Sequence, residues 1–298
     1  MIPSGPGSGP ADPTACRGVP APPVALTIAG SDSGAGAGVQ ADLKAMSALG
    51  VFATTVVTAV TAQNTWAVTA VHAVPTGIVA AQLDAVLDDL VPAAVKTGML
   101  ATGAVVRLVA ERAAAGHLPS LVVDPVMVAS SGRPLLDADA VDAYRRLLVP
   151  QALLVTPNLI EAAILAGVDP VEGADVDAMV GLARKIQALG PGWVLVKGGH
   201  LPGVHDTGSG SAPDRVADVL VHGTDVVVLE DTRVVTRNNH GTGCTLASAT
   251  AALLAHGADV PDAVAGAKRF VHDALVGSAG WALGRGHGPL DPFGWASS

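Results

Sequence analysis

The chain has 298 residues, room for one large domain or two small ones. Its formal net charge is −9 with no basic patch, which argues against a nucleic-acid partner. Half of it is hydrophobic but only 3 % aromatic, so the apolar mass is Ala, Val and Leu, the composition of a Val-rich parallel sheet covered by Ala/Leu helices.

No apolar run reaches the roughly 18 residues of a membrane span, and residues 1–23 lack the basic start and apolar core of a signal peptide. The cysteines, Cys16 and Cys244, make no disulfide framework. These features predict a cytoplasmic, reducing setting and no membrane partner.

Residues 1–23, rich in Pro, Gly and Ser, read as a disordered leader, followed by one domain over 24–298. Val24 to Ala29 is a short buried strand. It runs into Gly30-Ser-Asp-Ser-Gly-Ala-Gly-Ala-Gly38 and then a helix from Val39 to Leu49, with Asp42 in its first turn, where an acid suits the dipole. The glycines fit neither nucleotide fingerprint. A Walker A loop needs a Gly-Lys pair, absent here, and a dinucleotide loop needs G-x-G-x-x-G with an acid after the next strand. Instead that strand, about Ala53 to Ala62, ends in Thr61, Gln63 and Asn64. Asp32 and Asp42 are suited to hydroxyls or ring nitrogens rather than phosphate; a tight turn without ligand is the alternative.

A strand over Val68 to Val74 leads to a helix, Ile78 to Leu90, with Thr76 as its cap. Strand Ala93 to Lys96 exits through Thr97-Gly-Met99, where Met99 is either core or a pliable wall for a flat ligand. Helix Ala104–Ala115 precedes strand Leu121 to Val123, which ends in Asp124-Pro-Val126. After helix Ala138–Leu148, strand Leu153 to Val155 ends in Thr156-Pro-Asn158 with Glu161 three residues on. Asn158 and Glu161 share a helix face. They read either as a helix cap or as an oxygen shell for hydrated Mg²⁺. Helix Val176–Leu189 leads to strand Trp193 to Val196, then Lys197 beside two glycines, which can reach a phosphate or simply be solvated. Residues 202–214 read as a surface loop, and Ala217–His222 with Asp225–Glu230 as a hairpin. The last helix, about Asp262–Ala282, is broken near Gly277–Gly280.

The stretch that organises the rest is His240-Gly-Thr-Gly-Cys244, a glycine loop running into an Ala-rich helix from Thr245. Free amides and the dipole at a helix start make an anion site. Cys244 at its mouth would have its thiol pKa lowered there, so that a thiolate could serve as base, or it would only guide the substrate. Asp42, Gln63, Met99, Asp124, Asn158, Glu161, Lys197 and Cys244 all fall at strand ends along one rim, where doubly wound sheets bind ligands.

On Leu26-Thr-Ile-Ala-Gly-Ser-Asp-Ser33, Gly38-Val-Gln-Ala-Asp-Leu-Lys44, Thr61-Ala-Gln-Asn64, Lys96-Thr-Gly-Met-Leu100, Val123-Asp-Pro-Val-Met127, Thr156-Pro-Asn158, Val196-Lys-Gly-Gly-His200 and His240-Gly-Thr-Gly-Cys244, the sequence resembles the hydroxymethylpyrimidine/phosphomethylpyrimidine kinases of thiamine biosynthesis, in the ribokinase superfamily. The resemblance implies a ribokinase-like three-layer α/β sandwich with a mostly parallel central sheet. It implies ATP and Mg²⁺ as cofactors, an aminopyrimidine substrate phosphorylated twice, and a homodimer. Asp42 and Gln63 would hold the pyrimidine between Met99 and Val126. Asp124, Asn158 and Glu161 would organise Mg²⁺ and phosphates. Lys197, Asn158 and Thr242 would bind the nucleotide. Gly241, Thr242, Gly243 and Cys244 would form the catalytic loop, with Cys244 where sugar kinases carry an aspartate base. Ala35 departs from the family's glycine, and Ser130 and Arg133 from its lysine and aspartate. The alternatives are a pyridoxal kinase of the same superfamily and a non-catalytic vitamin-binding protein.

Overall fold

The computed structural model describes residues 20–127, 138–170, 175–198 and 215–297. Most of the leader, Ser130, Arg133 and the 202–214 loop lie outside them.

Eight strands form one sheet: β1 (Val24–Ala29), β2 (Phe52–Val57), β5 (Ala94–Thr97), β6 (Leu121–Val123), β7 (Leu154–Val155), β8 (Trp193–Lys197), β9 (Arg215–His222) and β10 (Asp225–Thr232). Their order is β10-β9-β8-β7-β6-β5-β1-β2. From β8 to β2 every pairing is parallel; β9 and β10 run antiparallel at one edge. Side chains alternate across it. Val95, Val123, Val155 and Val196 pack into one core, whereas Ala94, Val122, Leu154 and Leu195 pack into the other. Helices α2 (Thr76–Asp89), α3 (Gly103–Ala114), α4 (Ala138–Ala143), α5 (Leu159–Ala166) and α6 (Val176–Gln187) supply residues to the first core, and α1 (Gly38–Ala48), α7 (Thr242–Ala255) and α8 (Val260–Ser278) to the second. This is the three-layer sandwich expected from the resemblance. Among the described residues no helix is long and apolar enough to cross a membrane.

Several local expectations change. The strand expected over about 53–62 is two. It breaks at Thr58, and β3 (Ala59–Gln63) pairs instead with β4 (Val68–Ala73) as a separate two-stranded flap. Thr58 is fully buried and gives its amide to Ala29 O at 3.0 Å and its hydroxyl to Met99 O at 2.6 Å, which turns the chain out of the sheet. The residue capping α2 is Pro75, with no side-chain bond, rather than Thr76. The segment after α4 winds as a π-helix, Tyr144–Leu148. The last helix starts two residues early and ends at Ser278, within the break expected near Gly277–Gly280, and does not resume to Ala282.

Ala35 sits at φ +58°. A left-handed conformation costs a non-glycine residue about 1–2 kcal/mol, which gives a physical reason for the glycine that Ala35 replaces.

Candidate active site

The C-terminal ends of the parallel strands bring Asp124, Asn158, Glu161 and Lys197 together. Asp124 follows β6 and is buried; Lys197 closes β8 and places Nζ 3.0 Å from Asp124 Oδ1. Thr156 donates its hydroxyl to the same oxygen at 3.3 Å. Burial alone would lower the Lys197 pKa, but the Asp124 and Glu161 carboxylates outweigh it and hold the ammonium charged.

The first turn of α7 faces this pair. The helix starts at Thr242, three residues earlier than the sequence suggests, with Gly241 as N-cap at φ +85°. A Cβ on Gly241 would lie 1.8 Å from Gly36 O, so no other residue fits. Gly243 therefore lies in the helix rather than in a loop. A Cβ there would sit 3.2 Å from Lys197 Nζ and 4.0 Å from Asp124 Oδ2. Thr242 turns its hydroxyl back onto Asn239 O at 2.7 Å. Among the described residues, no protein acceptor takes the Gly243 and Cys244 amides. Those two donors, the dipole behind them and Lys197 make an anion site.

Asn158 and Glu161 form a capping box at the start of α5. Asn158 Oδ1 accepts from the Glu161 amide and Glu161 Oε2 from the Asn158 amide, each at 2.9 Å. One Glu161 oxygen is thus committed to the cap. Burial, opposed by Lys197 and reinforced by Asp124, pushes the Glu161 carboxyl up to about 7. Among the described residues no group of three or more His, Cys, Asp or Glu side chains is placed to hold a metal ion by itself. Two neighbouring carboxylates without such a cage fit Mg²⁺, which keeps several waters and leans on substrate phosphates.

Cys244 bears on the choice between base and guide. Its thiol is pushed up to about 11 by burial, with Asp124 and Asp42 adding to the rise; Lys96 and a bond from the Gly38 backbone oppose it too weakly. Desolvation and the two carboxylates thus favour the thiol form, although the side chain is only half-buried.

Asp42 corrects an expectation. It is not at the helix start but fully buried within α1, and it pairs through both oxygens with the equally buried Lys96 at 2.9 Å. Thr27 and Ser248 also donate their hydroxyls to it. Its oxygens are engaged by protein, so it does not present a free face to a ligand. Burial pulls the Lys96 pKa down, but the Asp42 charge more than reverses that.

Gln63, at the end of the flap, remains half-buried and reaches His240 across the site. Met99 and Val126 are also half-buried. The Met99 Cε occupies the space a Cβ on Gly30 would need, 2.4 Å away. Tyr144, from the π-helix, donates to Gly98 O at 3.2 Å and so steadies the Met99 loop. A cavity of about 760 Å³ lined by Asp84, Leu87, Arg112 and His117 touches none of these residues.

Sequence reading missed Lys96 as a partner, Tyr144 as a brace and Asp32 as a clamp. The signal for Lys96 was a lysine inside the otherwise apolar run Ala93 to Val95, which only a buried partner permits. Tyr144 gave none.

The chain is similar in sequence and fold to known proteins. The chain matches the family model for phosphomethylpyrimidine kinase over residues 32–291. It is 47 % identical over 274 residues to a hydroxymethylpyrimidine/phosphomethylpyrimidine kinase of Mycobacterium tuberculosis, covering 91 % of this chain and 94 % of that one. A phosphomethylpyrimidine kinase structure from Clostridium difficile superposes with a TM-score of 0.72 at 38 % identity, covering 85 % of this chain and 99 % of that one. A Bacillus subtilis pyridoxal kinase, solved as an ADP complex, superposes with a TM-score of 0.81 at 35 % identity, covering 93 % and 100 %.

Proposed function

The chain belongs to the phosphomethylpyrimidine kinase family, and we propose that residues 24–298 act as one kinase unit. It transfers the γ-phosphoryl of ATP to 4-amino-5-hydroxymethyl-2-methylpyrimidine and then to the resulting monophosphate, in thiamine biosynthesis. The observation that carries this reading is the free first turn of α7 set against the Lys197–Asp124 pair. Phosphoryl transfer asks a protein mainly for positioning and for neutralising oxygen charge. Here the Gly243 and Cys244 amides hold the moving phosphoryl oxygens, and Lys197 holds the rest of the nucleotide's phosphates, joined by Thr242 when its hydroxyl turns away from Asn239 O.

Asp124 and Glu161, with Asn158 beside them, would hold Mg²⁺, which supplies charge neutralisation between phosphates when bound. Gln63, Met99 and Val126 bound the pyrimidine; Asp42 acts behind this layer through Lys96. Cys244 acts as a thiol that packs beside the reacting hydroxyl rather than as a standing thiolate. We further propose a homodimer in the cytoplasm. The flap supports pairing, since Val60, Trp66 and Val71 on it are 52 %, 73 % and 47 % exposed, and sedimentation velocity reads it directly.

ATP consumption that depends on added pyrimidine tests the assignment. It is expected with a kcat/KM for the pyrimidine at least tenfold above that for pyridoxal; the reverse ratio would make the protein a pyridoxal kinase, and pyrimidine binding without turnover a vitamin-binding protein. A thiol held near 11 stays protonated between pH 6 and 9, so Cys244→Ser is expected to keep kcat within about tenfold of the parent, with the same pH profile over that range. A Ser variant slower by about 10³-fold or more, or a wild-type rate that climbs with a thiol titration lost in the variant, would restore Cys244 as the base.

A further inference from the structure

Asp32, His240 and Gln63 meet at one point of the site, and phosphate chemistry explains none of them. Asp32 is 2 % exposed. Its Oδ1 accepts from the Gly34 amide at 2.8 Å, and its Oδ2 from the Gly36 and Ala37 amides at 3.1 and 2.8 Å. Burial would raise its pKa, but these bonds and His240 hold it below the ordinary value. A carboxylate so bonded only accepts. The His240 Nε2 that stands 2.9 Å from Oδ2 therefore carries the hydrogen.

That same Nε2 lies 3.1 Å from the end of the Gln63 side chain. At the far side of the amide, Thr61 Oγ1 stands 3.3 Å away and gives its one proton to Ser31 O at 2.8 Å. The His240 side can thus be met only by an acceptor, and the Thr61 side only by a donor. One orientation of a carboxamide satisfies both, with Oε1 on His240 and Nε2 on Thr61. The structure places the amide the other way, Gln63 Nε2 against His240 Nε2 and Oε1 against Thr61 Oγ1, which sets donor against donor at His240, so the hydrogen-bond partners assign the flipped orientation. The main chain of Gln63 is fixed as well, because Ser33 Oγ accepts from its amide and donates to its carbonyl, both at 2.7 Å.

We infer that His240 is a positioning residue that sets substrate specificity. It shares its Nε2–H between Asp32 and Gln63 and so locks the Gln63 amide, leaving one N–H and one lone pair for a ligand. That is the donor–acceptor pair a carboxamide uses on an amino-substituted ring edge such as adenine's. A ring nitrogen beside an exocyclic amino group, as in an aminopyrimidine, answers it; pyridoxal has no amino group to do so. The inference rests on the reading of Gln63 as a pyrimidine contact.

The test is a double-mutant cycle with 4-amino-5-hydroxymethyl-2-methylpyrimidine as the varied substrate, on the parent, His240→Phe, Gln63→Ala and the pair combined. Each single change is expected to raise the pyrimidine KM about five- to tenfold, one hydrogen bond's worth, with the ATP KM unmoved. The combined variant is expected to be no worse than Gln63→Ala, since His240 acts through that side chain. His240→Gln, which again offers an N–H, should recover most of the loss. Effects that multiply in the combined variant, or no recovery with glutamine, would overturn the inference while leaving Gln63 a contact. An unchanged KM in Gln63→Ala would instead remove the reading it rests on. The ring packs on Gly36, whose Cβ position is 2.5 Å from His240 Cδ2; if His240→Phe does not fold, His240→Ala takes its place in the cycle.

Discussion

Gly243→Val is expected to lower kcat/KM for the pyrimidine by about 10²- to 10³-fold, the cost of losing one preorganised donor at a site of developing charge, while the protein still unfolds within about 1 kcal/mol of the parent. The first Cβ alone would come 3.2 Å from Lys197 Nζ and 4.0 Å from Asp124 Oδ2. Valine adds two methyl groups on that side, in the space between the amides and the lysine where the transferring oxygens must come. The fold tolerates the change better, because Gly243 has ordinary helical backbone rather than a left-handed one and valine in a helix costs well under 1 kcal/mol more than alanine. Gly243→Ala should fall between, since the lysine end can shift by a few tenths of an ångström. The comparison to make is steady-state kinetics beside a urea melt. Near-parental turnover in a folded Gly243→Val protein would mean that phosphoryl oxygens do not sit at this helix start, and the kinase mechanism would need another anion site.

The second large effect is on stability. Lys96→Met is expected to destabilise the protein by about 3–5 kcal/mol, the usual cost of breaking a buried ion pair from one side. At 2–4 °C per kcal/mol for a domain of this size that is a fall in Tm of about 10 °C. Neither partner has any exposed side-chain surface, so the Asp42 charge left behind finds no water, only the hydroxyls of Thr27 and Ser248. The pair joins four elements: Thr27 on β1, Asp42 on α1, Lys96 on β5 and Ser248 on α7. Ser248 is one turn beyond Cys244, so the pair also sets how far α7 extends into the site. The double variant Lys96→Met/Asp42→Leu removes both charges and should regain most of the lost stability. Thermal melts of the two proteins decide this, and a double variant no more stable than Lys96→Met would show that the cost is packing and not charge. Its pyrimidine KM separates the two readings of Asp42. A sealed Asp42 predicts little change, whereas a direct contact predicts a rise of tenfold or more.

The sequence carried the periodicities that depend on near neighbours. The short apolar runs Val24 to Ala29 and Leu121 to Val123 marked the buried strands β1 and β6 to the residue, and Pro, Gly and Asn placed most helix starts within one or two positions. The rim also followed, because in a doubly wound sheet the residues after each strand gather at one edge. The strand break at Thr58 was not legible, since its alternation of Val and Thr fits one long strand as well as two. What bends it is a hydrogen bond to Met99, 41 residues away.

Charge states were the part that local pattern could not give. Sequence alone determined the α/β class, because strand periodicity is local, and its short motifs carried the resemblance to the family; it also placed Asp124, Asn158 and Lys197 at strand ends. Tertiary structure decided what those residues can do. It sealed Asp42 against Lys96, set the carboxylates of Asp124 and Asp42 near the Cys244 thiol and turned Asp32 into a clamp on His240. The reason is physical: an ionisable group's protonation and availability follow from its burial and from the partners brought beside it by distant parts of the chain.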